Sequence, residues 1–187
     1  MEEDIQFYLD HAKELMEKSI DHTRIELQKL RAGKAMPNML DDLRVDYYGA
    51  STPIGQVASI NTPDARTIVV KPWEKNMIPE IERSIINSDL GLNPQNDGEL
   101  IRINIPPLTE DRRKILVKHA RNEAENGKIS IRNARKDAND HLKKLQKEGA
   151  SEDLIKKAEG EVQKLTDNYT HKIEELLNKK EEDIMTI

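Results

Sequence analysis

Six basic residues define the chemistry open to this chain. Lys114, Lys118, Arg121, Lys128, Arg132 and Arg135 follow one another at steps of 4, 3, 7, 4 and 3 residues. Those steps return to one side of an α-helix. A row of cations at this spacing can hold phosphate oxygens, and the Arg forks can do so through two bonds at once. Within Arg132-Asn133-Ala134-Arg135-Lys136-Asp137-Ala138-Asn139-Asp140, Asn133 and Asn139 could add hydrogen bonds to sugars or base edges. Arg112, Arg113 and Lys114 form a second basic cluster at the start of the same predicted helix. The whole chain is acidic, with 35 Asp and Glu against 30 Lys and Arg. Residues 109–149 reverse that balance with 12 basic and 7 acidic groups, whereas the segments on either side are net negative. Such a charge distribution suits one face docking on RNA and argues against indiscriminate coating of nucleic acid. The blander alternative is a solvated face balanced by Glu123, Glu125, Asp137 and Asp140.

Signals of catalysis are nearly absent. The chain has no Cys, which excludes disulfides and thiolate chemistry. Its five histidines (His11, His22, His119, His141, His171) make no metal-ligand pair at the usual helix spacing, and there is no His-Glu-x-x-His or Gly-rich phosphate loop. Asp41-Asp42 reads as a turn. Tyr47 and Tyr48 before Gly49 could stack bases, but a strand ending in a turn more often sends one ring to the core and one to the surface. No Gly-Gly-Gln loop suggests peptide release. The expectation is a protein that is not an enzyme and has no cofactor or metal.

The elements that position the basic row are long helices. Ile5, Leu9, Ala12, Met16, Ile20, Thr23, Leu27 and Leu30 recur at steps of three and four, predicting a helix over 3–31 with Gly33 as its stop. A second helix is predicted over 109–148. Thr109 is its N-cap, Glu110 and Asp111 suit the positive end of the dipole, and Leu116, Ala120, Ala124, Ile131, Ala134, Ala138, Leu142 and Leu145 form its apolar face. Ser151 caps a third, to about residue 183, with Leu154, Ala158, Val162, Leu165, Tyr169, Ile173 and Leu176 as its seam. Three amphipathic helices with one seam each make an elongated bundle. Gly127, inside the second helix, marks a bend or a close contact.

All eight prolines fall within residues 37–107. There the chain reads as strands at 43–48, 56–60, 67–73 and 100–105, with one short helix capped by Asn76 and ended by Gly91. The fold class is therefore α+β: a bundle of 1–31 plus 106–187 with a small α/β domain, 32–105, inserted into it. Two short crossings join them, Arg31-Ala32-Gly33-Lys34 and Asn104-Ile105-Pro106-Pro107. The first has a permissive Gly and the second a stiff diproline. We read Ala32, Gly33, Lys34, Asn104, Ile105, Pro106 and Pro107 as a hinge. No apolar run approaches the roughly 20 residues of a membrane span, and Met1-Glu2-Glu3-Asp4 resembles neither a secretory signal nor a transit peptide. A cytoplasmic protein, without a membrane partner, is expected.

Several strings together resemble a known family: Leu30-Arg31-Ala32-Gly33-Lys34-Ala35, Val45-Asp46-Tyr47-Tyr48-Gly49, Ser88-Asp89-Leu90-Gly91-Leu92-Asn93-Pro94, and Ile105-Pro106-Pro107-Leu108-Thr109-Glu110-Asp111-Arg112-Arg113-Lys114. Arg132 to Asp140 and Val162-Gln163-Lys164-Leu165-Thr166-Asp167 complete the set. Over its whole length the chain resembles the bacterial ribosome recycling factors. The resemblance implies an L-shaped, hinged molecule reminiscent of transfer RNA. It implies a monomer that binds large-subunit ribosomal RNA on the post-termination 70S ribosome and splits the subunits with elongation factor G and GTP, releasing mRNA and deacylated tRNA. The family's RNA-contacting arginines fall on Arg132 and Arg135, with Arg31, Arg112 and Arg113 nearer the hinge; Lys128 and Lys136 assist, and Arg121 belongs to the same row. Lys34 stands where the family more often has Arg, keeping the charge and losing the fork. The rival expectation is a coiled-coil protein-binding adaptor or chaperone cofactor, whose binding would hardly depend on salt.

Overall fold

The structure, a computed structural model, describes residues 1–30 and 33–186. Arg31 and Ala32, expected at an RNA contact and at the hinge, lie outside the described residues. In chain order the elements are helix α1 (Glu2–Lys29), strands β1 (Arg44–Tyr47) and β2 (Ala50–Pro53), the one-turn helix α2 (Ile54–Val57), strands β3 (Ala58–Asp64) and β4 (Thr67–Pro72), helix α3 (Ile78–Ile86), strands β5 (Pro94–Asn96) and β6 (Ile101–Asn104), and helices α4 (Glu110–Lys147) and α5 (Glu152–Met185). They divide into two compact units, Met1–Ala32 with Glu110–Ile187, and Gly33–Thr109.

In the first unit α1, α4 and α5 each pack on the other two. The apolar faces of α1 and α4 are buried as their spacing dictates, except that Leu30 is only half-buried. One core cluster joins Ile5, Leu9 and Ala12 to Leu142, Leu145, Ile155 and Val162, and another joins Met16 and Ile20 to Ile131, Tyr169 and Ile173. Ser151 Oγ accepts from Leu154 N at 3.4 Å, as an N-cap should. The seam of α5 departs from the expected one. Ile155 and Thr166 are buried where Leu154 and Leu165 were expected, and Leu176 is half-buried. A buried Thr costs little here because its Oγ1 donates to Val162 O at 2.8 Å within its own helix.

Gly127 is buried where all three helices meet. A Cβ there would collide with Thr23 Oγ1 of α1 and lie 2.9 Å from Ile173 Cδ1 of α5. Its role is therefore a close contact. Tyr169, also buried, reaches across to α1 and donates to Glu17 Oε1 at 2.9 Å. Burial first, and that carboxylate second, push its hydroxyl up to about 12. A group raised in the folded state contributes stability in full below its ordinary value near 10, and loses it as pH rises through 12. Circular dichroism melts should thus show stability falling from pH 10 to 12, and Tyr169→Phe should flatten part of that fall at a cost of about 1 kcal/mol at neutral pH.

The second unit holds a four-stranded antiparallel sheet in the order β3-β4-β6-β5 and a separate hairpin, β1-β2. Alternation along β4 and β6 points Ile68, Val70, Ile101 and Ile103 into the core, where α3 contributes Ile78, Ile81 and Ile85. Two strands carry no strand pattern in the sequence. β2 (Ala-Ser-Thr-Pro) lacks an apolar run, and β5 is three residues beginning with Pro, as befits an edge. Residues 56–57, expected in a strand, belong to α2. The α3 cap is Met77 rather than Asn76, because a 3₁₀ turn over Lys75–Met77 precedes the helix. α3 ends at Ile86, ahead of Gly91. Likewise α1 ends at Lys29, and Gly33 falls in the second unit. Pro106 to Thr109 also fall there, a few residues beyond the expected boundary.

Candidate nucleic-acid interface

α4 carries the basic row along the flank that faces α5. Two contacts fix the antiparallel register: Arg121 Nε lies 2.6 Å from Glu181 Oε1, and Lys128 Nζ lies 3.3 Å from Glu174 Oε1. The same register sets Asp167 opposite Arg135. Asp167 instead accepts from Gln163 Nε2 on its own helix at 2.8 Å. Arg135 is half-buried and has no hydrogen bond or ion pair among the described residues. Arg132, on the exposed side of the row, holds Glu125 Oε1 with Nη2 at 2.8 Å. Lys114 lies 3.7 Å from Glu110, and Lys118 and Lys136 are exposed with no ion pair among the described residues.

Of the acids expected to balance the row, Glu125 does so, while Asp137 faces His141 at 3.6 Å. Glu110 lies one turn from Lys114, while two further counter-charges, Glu174 and Glu181, come from α5, 46 and 60 residues away in sequence. No local pattern reveals the two on α5; only the antiparallel pairing of helices does. Each pair is solvent-exposed on at least one side, so each is worth only about 0.2–1 kcal/mol and can be exchanged for a phosphate.

Two expected contacts are placed differently. Arg113 is half-buried; its Nη1 donates to Met185 O at 3.3 Å, and its Nε is enclosed without a hydrogen-bond partner among the described residues. Its visible work is to bind the C-terminal end of α5, where carbonyls lack intrahelical donors. The Asn139 carbonyl oxygen is enclosed too, which withdraws it from any base edge, whereas Asn133 is exposed. Arg112 is exposed at the start of α4.

The expected hinge residues of the second unit lie side by side. Ala35 N donates to Ala65 O at 2.8 Å, and Ile105 N donates to Arg66 O at 2.7 Å, so both crossings bond to the β3–β4 turn. Ile105 is buried in the unit's core, while Lys34, Asn104, Pro106 and Pro107 are exposed. Gly33 has φ +73°, and a Cβ there would lie 2.6 Å from Leu108 Cγ. Gly33→Ala is therefore expected to lower stability by about 1–3 kcal/mol, read from the thermal transition.

Residues 23–185 match the family described as ribosome recycling factor. The chain belongs to that family. It is 60% identical over 185 residues to the ribosome-recycling factor of Amoebophilus asiaticus, covering 99% of this chain and 100% of that one, and 54% identical to its counterpart in Cytophaga hutchinsonii with the same coverage. Among solved structures, a ribosome recycling factor in solution is similar with a TM-score of 0.77 and 35% identity, over 98% of each chain. The Thermus thermophilus ribosome recycling factor, placed with Escherichia coli elongation factor G on the E. coli post-termination complex, is similar with a TM-score of 0.62 and 46% identity, over 97% of this chain and 99% of that one. In this ribosome recycling factor family member no helix among the described residues is long and apolar enough to cross a membrane. Nor does any group of three His, Cys, Asp or Glu converge there as if to hold a metal.

Proposed function

We propose that this chain recycles ribosomes in the cytoplasm: it docks on large-subunit RNA of the post-termination 70S ribosome and, with elongation factor G and GTP, splits the subunits so that mRNA and deacylated tRNA leave. The factor itself is a mechanical part, and GTP hydrolysis belongs to its partner. The observation that carries the docking step is Arg135, half-buried and without a carboxylate partner among the described residues, in a chain rich in carboxylates. Half-burial restricts its side chain, and among the described residues no internal bond must break before phosphate binds. Arg121, Lys128 and Arg132 exchange Glu181, Glu174 and Glu125 for phosphate as they dock. Lys118 and Lys136 add charge at either side.

In this reading the bundle is the anchor, and its rigidity comes from the Ala-lined α4 packed on both neighbours. The inserted unit receives force from the GTPase, and the paired segments at Gly33–Lys34 and Asn104–Pro107 act as the hinge that lets it swing.

Ribosome binding measured across a salt series tests the docking. Affinity should fall steeply with salt, roughly tenfold or more between 50 and 200 mM, as a multi-phosphate contact requires. Binding that ignores salt would favour the protein-binding adaptor instead. A companion prediction concerns the counter-charges. Glu174→Gln with Glu181→Gln should tighten binding to ribosomal RNA about three- to tenfold and steepen its salt dependence, because two competing carboxylates are gone.

A further inference from the structure

The second unit keeps its aromatic rings out of its centre. The chain has six Phe, Trp and Tyr residues, three of them in this unit: Tyr47 and Trp73 line one surface cleft, and Tyr48 stands beside it, its ring centroid 4.7 Å from that of Tyr47. Trp73 is 67% exposed and Tyr48 is 70% exposed, on a protein with few large rings to spare. The cleft, of about 310 Å³, lies between the β1–β2 hairpin and the end of β4, lined by the buried Val57 and Met77 and by Gln56, Glu74 and Trp73.

The hairpin turn departs from what its backbone requires. Tyr47 pairs with Ala50, so Tyr48 and Gly49 form a two-residue turn, with φ +50° and +86°. Asn-Gly suits such a turn, and a bulky aromatic at its first position is strained. Tyr48 is the sole non-glycine residue with positive φ among the described residues. Strain held at an exposed ring points to a use for the ring.

Glu74 supplies the sign of the ligand. The Tyr47 hydroxyl donates to its Oε1 at 3.2 Å and the Tyr48 hydroxyl to its Oε2 at 3.0 Å, while Asn76 Nδ2 donates to the Tyr48 hydroxyl at 3.0 Å. The carboxylate is thereby fixed at the cleft, with lone pairs to spare. A carboxylate beside aromatic faces attracts an ammonium or guanidinium through charge and ring quadrupole together. The same carboxylate repels phosphate, and residues 33–104 carry 10 acidic against 7 basic groups.

We propose that this cleft receives a lysine or arginine side chain from a basic segment of a protein partner. Trp73 inside the cleft and Tyr48 from beside it contact the cation, Glu74 neutralises it, and the Tyr48–Asn76 bond holds the Tyr48 ring in place. This site is independent of RNA docking by the bundle and stands whether or not that docking holds.

Trp73 is the chain's only Trp and reports on the cleft directly. The full-length protein is titrated with an arginine-rich nonapeptide and, separately, with an oligouridylate of similar length, following Trp emission and, in parallel, calorimetry. The expected result is a saturable change with the peptide. That affinity should fall about tenfold in Tyr48→Asn and in Glu74→Gln, in keeping with one lost cation–aromatic or charge contact. Tyr48→Asn suits the turn, so its melting temperature should hold or rise, and its net charge is unchanged. Equal peptide affinity in Tyr48→Asn and the native protein would mean generic charge attraction and overturn the site. Oligouridylate binding that depends on Tyr48 would make it a base-stacking platform and overturn it equally, as would no response to either probe.

Discussion

Replacing both Arg132 and Arg135 with Ala is expected to weaken ribosome binding at least about 100-fold, since charge-assisted hydrogen bonds contribute roughly 1.5–3 kcal/mol each. The two sites should not contribute equally. Arg132 must first release Glu125, which it holds at 2.8 Å. Arg135 has no such bond to give up among the described residues. Arg135→Ala alone should therefore cost more than Arg132→Ala alone, by a few-fold. Arg135→Lys keeps the charge and loses the fork, and should recover only part of the affinity. Neither position belongs to the buried seam, so the melting temperature should change little. Equilibrium binding to ribosomes, with a melt of each variant as control, separates loss of contact from loss of fold.

Gly127→Val is expected to be the most damaging single change in the bundle, costing about 3 kcal/mol or more, because its side chain must enter space already occupied on two sides. Gly127→Ala is the milder case. Ala gains roughly 1 kcal/mol of helix propensity over Gly. The clash with Thr23 Oγ1 opposes it, and Thr23 is 1% exposed with that hydroxyl donating to Ser19 O at 2.8 Å. Ile173 Cδ1 can rotate aside more readily, being the end of a flexible side chain. Net destabilisation of about 1–2 kcal/mol is expected for Ala, and Thr23→Ala in the same molecule should relieve much of it. Thermal unfolding of the two single variants and the double gives that coupling directly.

The basic row and Gly127 also show what was legible in the sequence. Apolar spacing located all three long helices and nearly every buried residue of α1 and α4, because those helices expose one face and bury the other. On α5 adjacent candidates defeated the spacing. Leu154 and Ile155 are both apolar, and Thr166 is buried beside Leu165 because its hydroxyl bonds within its own helix. Spacing left Gly127 as either a bend or a close contact and could not say what it meets, since Thr23 and Ile173 come from other helices. The basic row was legible for the same reason as the apolar seam. Its counter-charges were not, because the Arg121–Glu181 and Lys128–Glu174 pairs depend on how α4 and α5 lie together. Strands β2 and β5 stayed hidden because polar composition and a leading Pro mask short edge strands. The cleft at Trp73 was only half visible: Tyr47 and Tyr48 drew notice, but Glu74, which fixes both hydroxyls, lies 26 and 27 residues away.

The central claim is subunit splitting, and light scattering from post-termination ribosomes measures it directly. The protein, elongation factor G and GTP are mixed with those ribosomes, and each of the three is then left out in turn. A fall in scattering that needs all three, and that is slowed by Arg132→Ala with Arg135→Ala, is the predicted result. Scattering that stays constant with all three present, or that falls equally well without this protein, would contradict the account.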